Sequence, residues 1–474
     1  EEAFAEAKAK GKPVLLYWGA VWCPPCAQLK ATIFKEQDFI AKTNLFVPVY
    51  LDGDEENAQE QGEKFGVRGY PTLIVFSPAG EEMTRIPGGL ELDRYAKVLD
   101  ITLKDVRSVK SSFEAVLAGE AVSDDDFRLL AYYSWGQDNQ RVLPESGSNE
   151  AFYAMYEACP AALAEVKTRL YLNYLSMKMG SLEEGEALAL EEQNTVLLKL
   201  NELLADSELL KSQLDFLFYG VEDTFAALAD VDKSALQSAW TAAVQAQAGN
   251  ESLSLMERLG PLNVELAFER LASGGEVSEE MKARIQSRLA WADTQIHNSY
   301  ERQSVVNMSW GILSDAGMVA EGEALLNDAL SKSATPYYFM VDMADIAQKA
   351  GRTEEAVGWL EKAFNEAQGP ATRIQWGVMY LLGLVEMQPE RQDAIQAQTL
   401  AVLSEFRGAG DYRQRNTRGV QRMSRALLGW NEAGQHTAVI DHLKTVRDEK
   451  CASLEGESSA QTNCQAFLEV PPAA

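Results

Sequence analysis

The sequence predicts a multi-domain chain of two fold classes, an N-terminal α/β layer domain followed by an all-α region. Three observations carry this. The first hundred or so residues alternate buried-strand and helix patterns, and recognisable strands stop past about Leu103. Helical periodicity then runs to the end of the chain. The length, 474 residues, also exceeds what a single hydrophobic core usually organises.

Taken in order, residues 1–12 read as a short amphipathic helix with Phe4 inward, ended by Gly11 and Pro13. "PVLLYWG" reads as a buried strand. After "WCPPC" the spacing turns helical through about Phe39, and "LFVPVYLD" is a second buried strand ending at Asp52. "EENAQEQGEKFG" is helical again. "PTLIVFSPAGEEMTRIPGG" holds two strands with a turn at Pro78, Ala79 and Gly80, and a last helix follows from about Leu90. Further on, Ser123 before "DDDF" and Ser278 before "EEMKARI" are N-cap signals, with acids in the first turn where the helix dipole favours them. No Pro/Gly/Ser-rich linker separates the two regions, so the first helix of the second is expected to pack on the α/β domain.

Charge and composition exclude several functions. Lys plus Arg total 43 against 71 Asp plus Glu, a formal charge of −28, which repels phosphate backbones and anionic lipid. Nucleic acid is therefore not an expected partner. No apolar run reaches the ~18 residues of a membrane span, and "EEAFAEAKAK" has no apolar signal core, so a soluble chain whose export signal has been removed is expected. His297, His436 and His442 stand singly, without zinc or iron spacing, and neither a metal nor another cofactor is expected.

Five cysteines suggest two pairs and one left over. Cys451 and Cys464 flank "ASLEGESSAQTN", a polar segment able to bring its ends together, and are expected to form a structural disulfide. Cys159, in "YEACPAAL" on an apolar helix face, reads as a buried and inert thiol.

The remaining pair, Cys23 and Cys26, is the candidate reactive centre. Thiol–disulfide exchange needs one attackable thiol poised as thiolate and a second in reach to resolve a mixed disulfide. A two-residue spacer at a helix start supplies both: Cys23 as nucleophile at the helix N-terminus, and Cys26 one turn further in as resolving thiol. Pro24 and Pro25 are tolerated in the first turn and stiffen it. As a structural staple the pair would close too short a loop to contribute much entropy, and zinc would need two more ligands that no nearby Cys or His pair offers.

"WCPPC" after a buried strand, with "GVRGYPT" some forty-five residues later, resembles the thioredoxin superfamily. The resemblance covers residues 1 to about 103 and implies a thioredoxin fold. It is closer still to periplasmic thioredoxin-like domains of the disulfide-interchange type, on "GKPVLLYWGAVWCPPCAQLKATIF" and "VYLDGDEE". It implies that Pro71 is cis and packs on the active-site disulfide, that Tyr70 offers backbone groups to an extended substrate segment, and that Trp22 shields the site, whereas Trp18 reads as core. It also implies a periplasmic location. One departure is Tyr17, standing six residues before Cys23 where thioredoxins proper carry a buried acid, so proton transfer must use water or another carboxylate.

In the helical region Gly317, Gly322, Leu326, Ala329 and Pro336 recur as Gly351, Ala356, Leu360, Ala363 and Pro370, each pair separated by 34; Trp310 and Ala344 share the offset. This resembles tetratricopeptide repeats, helix pairs that stack into a solenoid; "LLGWNEAGQHTAVIDHL" reads as a degenerate later copy, and a generic helical bundle is the other reading. The expected division is 1–105 thioredoxin-like, 106–300 helical and 301–474 tetratricopeptide-like. The expected function is a protein thiol–disulfide oxidoreductase acting on protein thiols and disulfides, reduction being the favoured direction, with a protein partner recruited by the helical region. The alternative is a helical-repeat interaction protein with a redox-sensing or docking thioredoxin-like domain.

Overall fold

A computed structural model describes residues 1–55, 58–86, 88, 92–138, 140–144, 146–454 and 458–469. The N-terminal elements are α1 (Glu2–Lys10), β1 (Val14–Gly19), α2 (Pro24–Ala31), α3 (Gln37–Thr43), β2 (Val47–Asp52), α4 (Ala58–Lys64), β3 (Thr72–Phe76), β4 (Glu82–Ile86) and α5 (Leu92–Thr102). The strands form one sheet in the order β2-β1-β3-β4. Every residue of β1 and β3, the two inner strands, is buried, which is why their sequences are continuous apolar runs rather than alternating ones. β3 and β4 are antiparallel, with Leu73 opposite Ile86 and Val75 opposite Thr84, and a bulge falls between Val75 and Phe76. The expected helix start at Leu90 lies outside the described residues.

The helix expected to run through Phe39 is broken. α2 ends at Ala31, a 3-10 turn spans Ile33–Lys35, and α3 follows. Thr32 leaves helical geometry, with φ −117° and ψ −87°. The break lets Phe34 turn inward, where its ring meets Tyr17 at 4.9 Å and Phe39 at 5.4 Å.

After α5 every described element is a helix. The chain resolves into two compact units, the first made of residues 1–17, 24–50 and 71–318, the second of 18–23, 51–70 and 319–474. In the first unit a single apolar core runs from Leu15, Leu73 and Ile86 through Val109 and Phe113 to Trp240 and Phe268. Thus the first helix after α5, Val109–Leu117, shares the core of the sheet. Ser134 N–H donates to the Arg85 carbonyl at 3.0 Å, and Gln137 Nε2 to the Pro71 carbonyl at 2.9 Å. α2 packs on the Ser299–Asp315 helix, and Lys30 lies 5.4 Å from the Tyr300 ring. Ser123 closes a full capping box with Asp126, and Ser278 caps Met281 N–H.

In the second unit the helices Val319–Lys332, Tyr337–Lys349, Thr353–Glu366 and Pro370–Met387 pack as sequential neighbours. The 34-residue offset has a physical basis in the turns: Gly317 and Gly351 both adopt left-handed φ, +67° and +74°, as helix-terminating glycines. Leu326, Ala329, Ala356, Leu360 and Ala363 are all buried, so the recurring small and apolar residues are the ones at helix crossings.

Cys451, in the Thr437–Ala452 helix, and Cys464, in the Ser458–Gln465 helix, are joined by a disulfide with Cα atoms 5.7 Å apart. Their separation of 13 residues makes the bridge a constraint on the unfolded chain of about 3 kcal/mol. Replacing both by Ser should lower the denaturant midpoint of the second unit's unfolding transition accordingly; an unchanged midpoint would show that the bridge contributes nothing.

Candidate redox site

The buried strand β1 carries the chain to Ala20, whose carbonyl accepts from Cys23 N–H at 3.4 Å, closing the turn before α2. Pro24 occupies the first position of α2, where the N–H that proline lacks would have had no intrahelical partner. Cys23 and Cys26 are both buried, at 3% and 0% exposure. Pro71 is buried immediately before β3. Cys159 is also buried, and burial pushes its thiol up to about 11, where it is almost wholly protonated at neutral pH.

Trp22 organises the second unit around Cys23. Its indole Nε1 donates to Asp54 Oδ2 at 2.8 Å and to Thr372 Oγ1 at 2.9 Å. Its ring meets Tyr70 at 5.6 Å, Trp376 at 5.0 Å and Tyr338 at 6.0 Å between centroids. Trp18 stacks on Tyr70 with ring centroids 6.0 Å apart. Trp22 and Tyr70, both expected at the site, are thus brought together, and Trp18 is core as expected, packed over Gly62. The Tyr338 phenol is held above its usual range, first by burial, then by Asp342 and then by Cys23. Tyr17, where a family acid would stand, is an aromatic core residue stacked on Tyr50 at 5.3 Å.

Sequence reasoning missed the polar half of this cluster. Asp54 Oδ1 accepts from Arg415 Nη2 at 3.0 Å, and the Arg415 guanidinium lies 5.2 Å from the Tyr70 ring and 5.8 Å from the Trp22 ring. Arg415 N–H donates to Gln59 Oε1 at 3.3 Å, and Gln59 Nε2 to the Gly53 carbonyl at 2.9 Å. The acid-rich "LDGDEE" marked the region, but nothing in the sequence linked it to residues 372 and 415. Burial raises the Asp54 carboxyl above its ordinary value; Arg415, Thr372 and Trp22 each pull it back without cancelling the rise. Among the described residues no cluster of three or more His, Cys, Asp or Glu could hold a metal, and no helix is long and apolar enough to cross a membrane.

The sheet order, the buried β1 and a Cys-Pro-Pro-Cys segment entering α2 together define a thioredoxin-like domain. The sequence pattern of the thioredoxin-like domain family matches residues 1–102. Thioredoxin of Pseudomonas aeruginosa is 35% identical over 98 residues, 20% of this chain and 83% of its own. Thioredoxin H4 of Arabidopsis thaliana is 32% identical over 97 residues, 20% of this chain and 77% of its own. The thiol:disulfide interchange protein DsbD 1 of P. aeruginosa is 31% identical over 84 residues, 17% of this chain and only 14% of its own. Through its N-terminal domain the chain belongs to the thioredoxin family.

The raised carboxyl of Asp54 has a signed consequence. A carboxylic acid more protonated in the folded than in the unfolded chain contributes stability that is fully present below its unfolded value, near 3.8, and lost as pH rises through the elevated folded value. Asp54→Asn, which can keep an acceptor for Trp22, should remove that loss, so the variant's stability relative to wild type should rise with pH across this window. Denaturant unfolding at a series of pH values measures it; parallel pH profiles would contradict the assignment.

Proposed function

We propose that the chain is a protein thiol–disulfide oxidoreductase in which Cys23 attacks and Cys26 resolves. The observation that carries the reading is the placement of this pair on either side of Pro24 and Pro25, at the start of α2 just after a fully buried strand, within the family-matched residues 1–102. The Cys23 thiolate attacks one sulfur of a partner disulfide, and the other partner sulfur leaves as thiolate. The Cys26 thiolate then attacks Cys23 Sγ, breaking the mixed disulfide and releasing the second partner sulfur. The partner gains two electrons, which take up two protons, and the chain is left with a Cys23–Cys26 disulfide.

We take reduction of partners to be the physiological direction, which requires a reduction potential below that of the partner disulfide. Trp22, Tyr70 and Pro71 surround the reacting disulfide in this scheme. The helical parts, 106–300 and 301–474, the latter stacked as tetratricopeptide-like pairs, recruit and orient partners. The periplasm is the proposed location, supported by the likeness to a DsbD protein and by the disulfide at Cys451 and Cys464.

A second reading, a redox-sensing interaction protein, is favoured by the burial of Cys23 and of its neighbour Trp22, the latter packed among Tyr338, Thr372 and Trp376. There, oxidation of the pair would change how the second unit packs rather than turn over substrates.

Cys26→Ser separates the two. It should accumulate partner proteins in covalent, dithiothreitol-sensitive adducts through Cys23, detected on non-reducing gels and absent in Cys23→Ser. Absence of adducts, together with no thiol-dependent reduction of insulin by the wild type, would contradict exchange.

A further inference from the structure

The Gln414–Trp430 helix contains no acidic residue, in a chain whose formal charge is −28. Val420, Met423 and Leu427 are buried along one side of it. Arg415, Arg418, Arg422 and Arg425 recur at spacings of three, four and three, which places all four on one stripe away from that apolar side. The stripe begins at the redox cluster, since Arg415 is the residue bonded to Asp54 and packed on Trp22 and Tyr70. Two of its nitrogens, Nε and Nη1, are buried with no hydrogen-bond partner among the described residues.

One turn on, Arg418 Nη2 donates to the Arg68 carbonyl at 3.4 Å, bringing a further cation to the same place. Partial desolvation, then Arg68 and Arg415, hold the Arg418 guanidinium below its usual range, so like charges crowd there. Arg418, Arg422 and Arg425 are exposed, and among the described residues no ion pair to them is formed. A solvated face of an acidic protein has no physical reason to concentrate uncompensated guanidinium groups, and planar N–H forks are matched by carboxylates.

We infer that this arginine stripe, with Arg68, is a docking track for an acidic polypeptide segment of the substrate protein, held there while its disulfide is presented at Cys23. The presentation step rests on the thiol–disulfide reading; the track does not. From Arg415 to Arg425 the helix rises about 15 Å, the span of four or five residues of extended chain at about 3.3 Å each. A short acidic segment fits that length. A long polyanion or an anionic lipid surface would meet the rest of a strongly negative molecule and be repelled.

The test uses the full chain and short fluorescein-labelled peptides without cysteine: a glutamate–serine repeat, a lysine–serine repeat and a glycine–serine control, read by anisotropy at low salt. The glutamate peptide should bind about tenfold more tightly than the control, and raised salt should abolish the difference. Combined Arg418→Gln, Arg422→Gln and Arg425→Gln should abolish it too, and the corresponding Glu substitutions should transfer preference to the lysine peptide. No preference in the wild type, or a preference that survives the Gln variant, would overturn the track. Tighter binding of phosphatidylglycerol vesicles or of a single-stranded oligonucleotide, lost in the same variant, would overturn the choice of a polypeptide. Exchange with the uncharged hydroxyethyl disulfide is followed separately: selective peptide binding without any exchange upholds the track and removes the redox reading with the presentation step.

Discussion

The N–H of one indole sets the arrangement around Cys23. Trp22 Nε1 is shared between the Asp54 carboxylate and the Thr372 hydroxyl, two acceptors 318 positions apart in sequence, and is buried with them. A buried donor of this kind must be satisfied, so the position of the residue preceding Cys23 is tied to the first turn of the Pro370–Met387 helix. The aromatic faces of Tyr70, Tyr338 and Trp376 then fill the space that the hydrogen bonds define.

The rest follows from accommodating Asp54. A carboxylate taken out of water needs compensation, supplied by Arg415, by Thr372 and by the N-terminal end of the Pro370–Met387 helix, whose dipole favours negative charge. Close approach also demands small residues. A Cβ at Gly369, whose φ is +83°, would stand 2.6 Å from Asp54 Cβ, and one at Gly53 would fall 2.0 Å from the Tyr70 hydroxyl. Arg415, fixed by Asp54, in turn sets the inner end of an arginine stripe that leads outward from the thiol.

Much of the N-terminal domain was legible because its signals are local. Apolar runs named β1 and β3, "SPAG" named the turn between β3 and β4, and "WCPPC" named the cysteine pair at the start of α2. The recurrence of Gly317 at Gly351 was legible for the same reason, since a left-handed helix end needs glycine wherever it occurs. The break at Thr32 was not, because nothing in the periodicity of residues 24–39 distinguishes a continuous helix from one that turns Phe34 onto Tyr17. Nor were Asp54, Thr372 and Arg415, whose roles exist only through pairing across hundreds of residues. The departure at Tyr17 was visible in the sequence; its cause, a stack with Tyr50 and an edge contact with Phe34, required the fold.

Cys23 is buried next to Trp22, and on the reading proposed above its reactivity is governed by release of that indole from its hydrogen-bonded cluster. The direct measurement is the rate of alkylation of Cys23 by iodoacetamide in the reduced full chain, resolved by peptide mass spectrometry. Thr372→Val with Arg415→Gln removes one acceptor of the indole and the cation paired with Asp54, and hydrogen bonds of this kind contribute enough for about a tenfold or greater acceleration. An unchanged rate in that variant would show that Cys23 is shielded by something other than the cluster around Trp22.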